Sequence, residues 1–387
     1  MIDKYFLYRN PFILFCLTYI FCLFLYQLEW ASIYPKLGNE LKILFVITFI
    51  SYSLISIKFQ TSSKFTIKEN FYLPVYYDLS GILLIFVEFL FFKEIPLLST
   101  INGNPSRYDE FGLPIIHILA YCLLFCTSII RFNQYLLTNK KKYLLSTFFS
   151  ILIFILIMNR AAIMLLIFCC FSSILLTKKI KLASVLKMFF SMFLILLIFG
   201  CLGNLRSGSS IIESSILPTE KFYDLSISSE ILWAYTYFTS PFSNLQNTVT
   251  ISEPKYDFVS FFVSEILPET IGKRIAPLLG ISDIFYTEVP LVVENLNVST
   301  ALAKSYFYAG WIGIFLLLSY MAIFAILVDL LSRKNPLRIP IISIVNSMFV
   351  FSFFTNFFKF SGTIISLILM FFLSKKIRYS KTKIHRG

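Results

Sequence analysis

The stretch Tyr143–Thr177 reads YLLSTFFSILIFILIMNRAAIMLLIFCCFSSILLT, and the fold turns on it. A helix crosses a bilayer in about 17–25 mostly apolar residues. This run is too long for one crossing, and Asn159-Arg160 interrupts its middle. An Arg at the centre of a membrane helix costs roughly 2.5–3.5 kcal/mol on insertion scales, and less near the interface. The stretch therefore reads as two crossings, Tyr143–Met158 and Ala161–Thr177, joined by a tight turn at a membrane surface.

The same rule reads the rest of the chain. Apolar segments fall at Phe12–Leu28, Leu41–Ile57, Pro74–Phe92, Leu113–Phe132, Ala183–Leu202, Ser305–Leu331, Ile339–Phe357 and Ser361–Leu373, giving ten in all. Ile339–Leu373 is again too long for one crossing and reads as a hairpin turning near Lys359. The chain is 57% hydrophobic and 14% charged, whereas soluble domains carry about a quarter charged residues. Too few polar residues remain to cover a water-exposed surface, so lipid is the solvent for most of the chain. The expectation is an all-α polytopic integral membrane protein with about ten transmembrane helices.

Charge sets the orientation. Lys and Arg cluster at the ends of the apolar segments, so topology accounts for the net charge of +13 without a nucleic-acid partner. With the N-terminus in the cytoplasm, the inner segments and the tail hold 22 of the 34 basic residues, and 16 of the 21 acids lie outside. This satisfies the positive-inside rule and places both termini in the cytoplasm. Residues 1–203 then carry seven helices, 204–304 form one large outer loop, 305–374 carry three more helices, and 375–387 are a basic tail. Within the loop, Ile231–Tyr237, Phe258–Ile266 and Val289–Val298 are too short to span. They read as short amphipathic helices on the membrane face or over a cavity. Arg206–Ser215, rich in Ser and Gly, reads as flexible.

Other chemistries find little footing. All seven cysteines sit in apolar segments and read as helix-packing residues; the loop beyond Cys201 has none. His117 and His385 are the only histidines, and no zinc spacing, phosphate loop or dinucleotide fingerprint is present. No metal or cofactor is called for. Lys4 and Arg9 precede an apolar run without a small-residue cleavage site, which reads as an uncleaved first span.

A few residues could carry chemistry. Arg160 at the outer turn is either a snorkelling charge that ends a helix or an anion ligand. The guanidinium fork suits a diphosphate through paired charge-assisted hydrogen bonds. Arg206, in Gly203-Asn204-Leu205-Arg206, lies on the same side and could converge with it. Glu88, on the outer half of the third segment, is an acid inside the membrane; it reads as a general base or as an internal partner for a cation. Asp78, at the other end of that segment, reads as interfacial. His117 reads as a packed histidine or a catalyst. In the loop, Lys273-Arg274, Asp283, Glu288 and Glu294 offer cations for phosphate and carboxylates for hydroxyls. Trp233, Tyr235, Tyr237 and Tyr256 suit either sugar stacking or an interfacial aromatic belt.

The chain resembles the Wzy-type O-antigen polymerases, which join repeat units of bacterial surface polysaccharide. The likeness lies in the topology and in short motifs: Met158-Asn159-Arg160-Ala161, Gly203-Asn204-Leu205-Arg206, Tyr235 through Ser240-Pro241-Phe242-Ser243-Asn244-Leu245, and Asn297 and Thr300 followed by Tyr308-Ala309-Gly310-Trp311-Ile312-Gly313. The resemblance implies a GT-C-like, metal-independent glycosyltransferase of the bacterial inner membrane with a periplasmic loop. Its substrates would be oligosaccharide repeat units on undecaprenyl pyrophosphate, and a chain-length regulator would be a possible partner. It further implies Arg160 and Arg206 as diphosphate ligands, Asn244 and Tyr308 as substrate contacts, and Glu88 or a loop acid as base; Arg274, read as a loop cation, is taken as a third substrate contact. Three alternatives stand beside it. An O-antigen ligase would want a His in the large loop, which has none. A lipid-linked oligosaccharide flippase would line several spans with charge. A membrane acyltransferase would need a His at the membrane face, where His117 is the candidate.

Overall fold

The computed structural model describes residues 9–60, 71–103, 111–178, 209–225 and 228–379. The expected span Ala183–Leu202, together with Arg206, Arg107, Asp109 and Glu110, lies outside the described residues. The described residues are mostly helical. Helices occupy the other nine expected segments, as Pro11–Tyr26, Asn39–Gln60, Tyr76–Phe92, Ile116–Thr138, Lys141–Leu156, Arg160–Thr177, Ala301–Ser332, Arg338–Phe351 and Ser361–Ser374. Four are long and apolar enough to cross a membrane: Asn39–Ile57, Ile116–Thr138, Arg160–Thr177 and Ala301–Ser332. Large apolar side chains face outward along them and their neighbours, among them Leu54, Leu83, Phe91 and Leu331. Such an exterior is compatible with a lipid bilayer.

The chain divides into two compact units. The first takes Met1–Ser62, Lys179–Phe324 and Met348–Phe360. Asn10 opens its first helix, accepting a hydrogen bond from the Phe12 amide at 2.9 Å with Pro11 at the first helical position. The core is aromatic. Phe12 meets Tyr52, Phe59 and Phe349 edge-on at 5.2–5.6 Å, and Phe15 stacks on Tyr19 at 4.0 Å. Aromatic pairs in these geometries contribute about 0.5–1.5 kcal/mol each beyond their burial.

In this unit the large loop differs from its expected form. Ile231–Tyr237 is the start of a 23-residue helix, Ser229–Ile251, which is buried within the unit and packs on Pro11–Tyr26 instead of lying on its surface. Polar residues withstand that burial because they bond within the helix. The hydroxyls of Thr236, Thr239 and Thr248 donate to the carbonyls of Leu232, Tyr235 and Asn244, four residues back, at 2.7–2.8 Å. Phe258–Phe261 continues into a π-helical turn, Phe262–Ile266. Val289–Val298 forms no helix, and Ser209–Ile216, within the Ser/Gly-rich stretch, does.

The second unit takes Ser63–Lys178, Ala325–Ser347 and Ser361–Gly387. Its helices pack through small residues, as membrane helices do where no hydrophobic drive separates helix from lipid. Asn346 donates to the Ser172 hydroxyl at 2.9 Å, Ser173 and Ser343 share a hydrogen bond at 2.9 Å, and the Cys122 and Cys126 thiols point at the carbonyls of Gly362 and Ser366. Six cysteines lie among the described residues, all as free thiols in packed positions. A short antiparallel pair, Phe71–Tyr72 with Arg378–Tyr379, closes one end.

Candidate functional site

In the second unit, Tyr76–Phe92 and Ile116–Thr138 run antiparallel, pinned by a polar pair at each end. At one end Arg131 Nε lies 3.1 Å from both carboxylate oxygens of Asp78. Its Nη1 donates to the Leu73 carbonyl and to Gln134. Asp78 is buried, and Arg131 and the Ser146 hydroxyl supply its partners.

Glu88 holds the other end. Its carboxylate has no solvent exposure. One oxygen lies 2.8 Å from His117 Nδ1, and the other accepts the Leu113 amide at 3.0 Å. Gly112 makes room for the ring: a Cβ there would sit 2.6 Å from the imidazole, and its φ of 112° suits only glycine. His117 keeps 20% of its side chain exposed. The partner of Glu88 is thus a histidine, where the sequence suggested Arg or Lys.

Arg160 opens the helix Arg160–Thr177. Met158 takes a left-handed φ of 57°, and the Asn159 side chain caps the turn by accepting the Ala162 amide at 2.9 Å. The Arg160 side chain is exposed and makes no ion pair among the described residues. Because Tyr121 meets Phe154, with centroids 5.6 Å apart, this turn and His117 lie at the same end of the unit. The structure thus gathers Glu88, His117 and Arg160 at one end. A helix N-terminus with an exposed Arg is suited to an anion.

In the first unit, a second cluster surrounds a break in Ala301–Ser332. Ala309 and Gly310 leave helical geometry, Gly310 with φ 59° and ψ −150°. The carbonyls of Phe307 and Tyr308, which a continuous helix would have bonded internally, instead accept the amides of Lys255 and Asp257 at 3.1 and 2.8 Å. Just before the break, the half-buried Lys304 ammonium donates to the Ile284 carbonyl at 2.7 Å, and the Tyr308 hydroxyl donates to the same oxygen at 3.2 Å. Glu265, in the π-helical turn and 1% exposed, accepts from Lys359 at 2.7 Å and from Asn356 at 3.1 Å. The charges acting on Lys304 are Lys359, Glu265, Glu269 and Glu288. Burial alone would raise the Asp257 carboxyl. The hydrogen bonds from Ser260 and the Val259 amide, with the Lys255 charge, outweigh it and hold the group below the usual carboxylate range.

The three expected substrate contacts fall in this unit in different settings. Asn244 is 1% exposed. Its amide donates to the carbonyls of Leu296 and Val298 at 2.6 and 2.7 Å and accepts the Val292 amide at 2.9 Å, so it clamps the irregular segment. Tyr308 is buried beside Lys304. Arg274 ends the helix Glu269–Ile275, exposed and without an ion pair among the described residues. Tyr235 is buried, its hydroxyl pushed up to about 12 by that burial, whereas Tyr256 is exposed.

Sequence reading missed Lys304, Glu265 and Lys359 as a group. Each is a charge at the edge of, or inside, an apolar run, which is a signal in itself. Their sequence separation hid the pairing. Among the described residues, no three His, Cys, Asp or Glu side chains gather closely enough to hold a metal ion. No family model, curated protein or solved structure matches the chain.

Proposed function

We propose that the chain is a lipid-linked oligosaccharide polymerase of the bacterial inner membrane, of the kind its topology and motifs resemble. In this reading about ten helices cross the bilayer, both termini are cytoplasmic, and residues 204–304 face the periplasm. The observation that most supports it is the cluster around Lys304. Glu265, from a loop read as external, meets Lys359 from the turn between the last two helices, and Lys304, in the first turn of a helix long and apolar enough to cross a membrane, bonds the loop carbonyl of Ile284. Transfer between lipid-borne sugars needs such groups at the membrane face.

The reaction joins two lipid-linked glycans. A hydroxyl of one repeat unit attacks the anomeric carbon of the growing chain, the bond to the lipid diphosphate breaks, and the hydroxyl proton passes to a base. Arg160 and Arg206 take the charge of the departing diphosphate, so no metal is required. Glu88, wholly buried, acts through His117: with Nδ1 committed to the carboxylate, Nε2 is the ring nitrogen left to take the proton. Arg274 and Tyr308 stand for contacts to the glycan, and Asn244 shapes the loop around it.

Deleting the gene and restoring it, with surface lipopolysaccharide run on a gel, tests this. Collapse of the long ladder to core carrying a single repeat unit is expected. Core without any repeat, with long lipid-linked polymer accumulating, would make the chain a ligase. In restored strains, Arg160→Lys and Arg206→Lys are expected to shorten the ladder at unchanged membrane abundance; a full ladder from both removes the diphosphate role.

A further inference from the structure

A cavity of about 300 Å³ opens in the first unit, and apart from Tyr235 its lining residues carry no role assigned so far. Residues 27–37, which join the first two helices, form one wall, and Thr219, Lys221 and Tyr235 form the other. Several bonds fasten the walls together. Ala31 pairs with Pro218 as an antiparallel bridge, Ser32 donates from both amide and hydroxyl to the Leu217 carbonyl, and the Thr219 hydroxyl donates to the Glu29 carbonyl at 2.8 Å. Glu29 and Leu217 both take left-handed φ, 54° and 47°, so the joining turns are sharply set. Below them lies a packed floor of Ala31, Ile212, Ile216, Phe222 and Leu232. The cavity is therefore preformed.

Its lining joins the half-buried ring of Tyr34 to positive charge. Tyr26, Tyr34 and Tyr235 form a near-parallel stack, with centroids 5.9 and 6.3 Å apart and planes within 7° and 15°. The Tyr26 hydroxyl donates to the Pro35 carbonyl and the Tyr235 hydroxyl accepts the Trp30 amide, which fixes two of the three rings. Around them stand Lys36, Lys42 and Lys221 against the single acid Glu29. Glu29 is committed to Lys221 at 2.5 Å. That hydrogen bond and charge, with Lys36 beyond, hold its carboxyl below the usual carboxylate range. Lys36 and Lys42 are exposed and have no ion-pair partner among the described residues. The cavity carries an excess of two positive charges.

We infer that this cavity binds an anionic sugar: a hexose whose apolar face lies against the Tyr34 ring, which the buried Tyr26 and Tyr235 hold in place, and whose carboxylate or phosphate lies between Lys36 and Lys42. The size suits one or two sugar rings, ligand cavities being about 300–1,000 Å³. A neutral sugar would take only hydrogen bonds from the lysines, without the charge attraction, and a bare anion would gain nothing from the ring. The assignment rests on the polymerase reading only for where the sugar comes from, namely an acidic residue of the repeat unit or growing chain.

The purified full-length protein in nanodiscs of neutral lipid tests it. Titration calorimetry and tryptophan fluorescence, with Trp30 5.1 Å from the Tyr235 ring, would follow methyl glucuronide, methyl galacturonide, methyl glucoside 6-phosphate and methyl glucoside. Binding of an acidic glycoside at least tenfold tighter than methyl glucoside is expected, together with a tenfold or greater loss in Lys36→Met/Lys42→Met. Both lysines are exposed, so the variant should fold, and an unchanged circular dichroism spectrum and elution volume would verify that. Preference for a uronide or for the 6-phosphate assigns the anion as carboxylate or phosphate. Equal affinity for neutral and acidic glycosides, unchanged binding by the double variant, or no binding of any of the four overturns the inference. Anionic sugar binding in a protein whose deletion leaves the ladder intact would keep the cavity's role and remove the polymerase reading; the reverse pair of results would do the opposite.

Discussion

Replacing Gly310 with Ala should destabilise the protein, and the sign of the effect is what makes it informative. In the middle of an unbroken helix, Gly to Ala stabilises by about 0.8–1 kcal/mol, because glycine has more backbone freedom to lose. Gly310 is not in such a helix. Its φ of 59° and ψ of −150° lie in a region that residues with a Cβ enter only at a cost of about 1–3 kcal/mol. A Cβ would also stand 3.3 Å from Pro254 Cβ and Cγ and 3.4 Å from a Tyr256 ring carbon, so that loop must give by a few tenths of an ångström. The loop is not free to move away, because the amides of Lys255 and Asp257 are held by the carbonyls exposed at the break. The expected loss is about 2 kcal/mol, a fall of several degrees in Tm. Thermal unfolding in detergent measures it. Gly280→Ala is the control: its φ is also left-handed, at 71°, but a Cβ there meets nothing within 4 Å. Gly310→Ala should lose more than the control and shorten the polysaccharide ladder. A Gly310→Ala protein more stable than wild type, with a full ladder, would mean that the helix runs straight through this point.

Other substitutions follow from the same contacts. Glu88→Ala leaves His117 Nδ1 and the Leu113 amide without partners, a loss of about 1–3 kcal/mol per group; lower Tm and a collapsed ladder are expected, and wild-type values in both would remove Glu88 from the site. Asp78→Asn breaks a buried ion pair and should cost about 3–5 kcal/mol, whereas the apolar pair Asp78→Leu with Arg131→Met should recover part of it. A double variant no better than the single one would show that the charges are not coupled. Asn244→Ala releases three bonds to residues 292–298, so limited proteolysis should cut that segment faster than in wild type; unchanged cleavage would show that the clamp is dispensable.

How much of this was legible beforehand depended on the range of the interaction. The hairpin at Asn159-Arg160 was plain because a charge inside an apolar run is costly wherever the chain goes, and the turn lies where that cost placed it. The loop helix Ser229–Ile251 was only partly visible. Its Thr and Ser residues broke the apolar pattern, and their hydroxyls are satisfied by carbonyls four residues back, which a hydropathy reading scores as polar. The ion pair of Asp78 was hidden for a similar reason: its partner, Arg131, lies on another helix.

The amino-acid sequence by itself determined that the chain is helical, that its exterior is apolar, and which segments are long enough to matter, since these follow from local composition and from the price lipid sets on polar groups. It also marked Glu88 and Arg160 as charges needing an explanation. Only the tertiary structure decided which charge meets which: Glu88 with His117, Asp78 with Arg131, Glu265 with Lys359 and Asn356, and three stacked tyrosines in one cavity with Lys36 and Lys42. Such pairings join residues far apart in the chain. Their energies depend on distance and burial in space, and those quantities exist only once the backbone has closed.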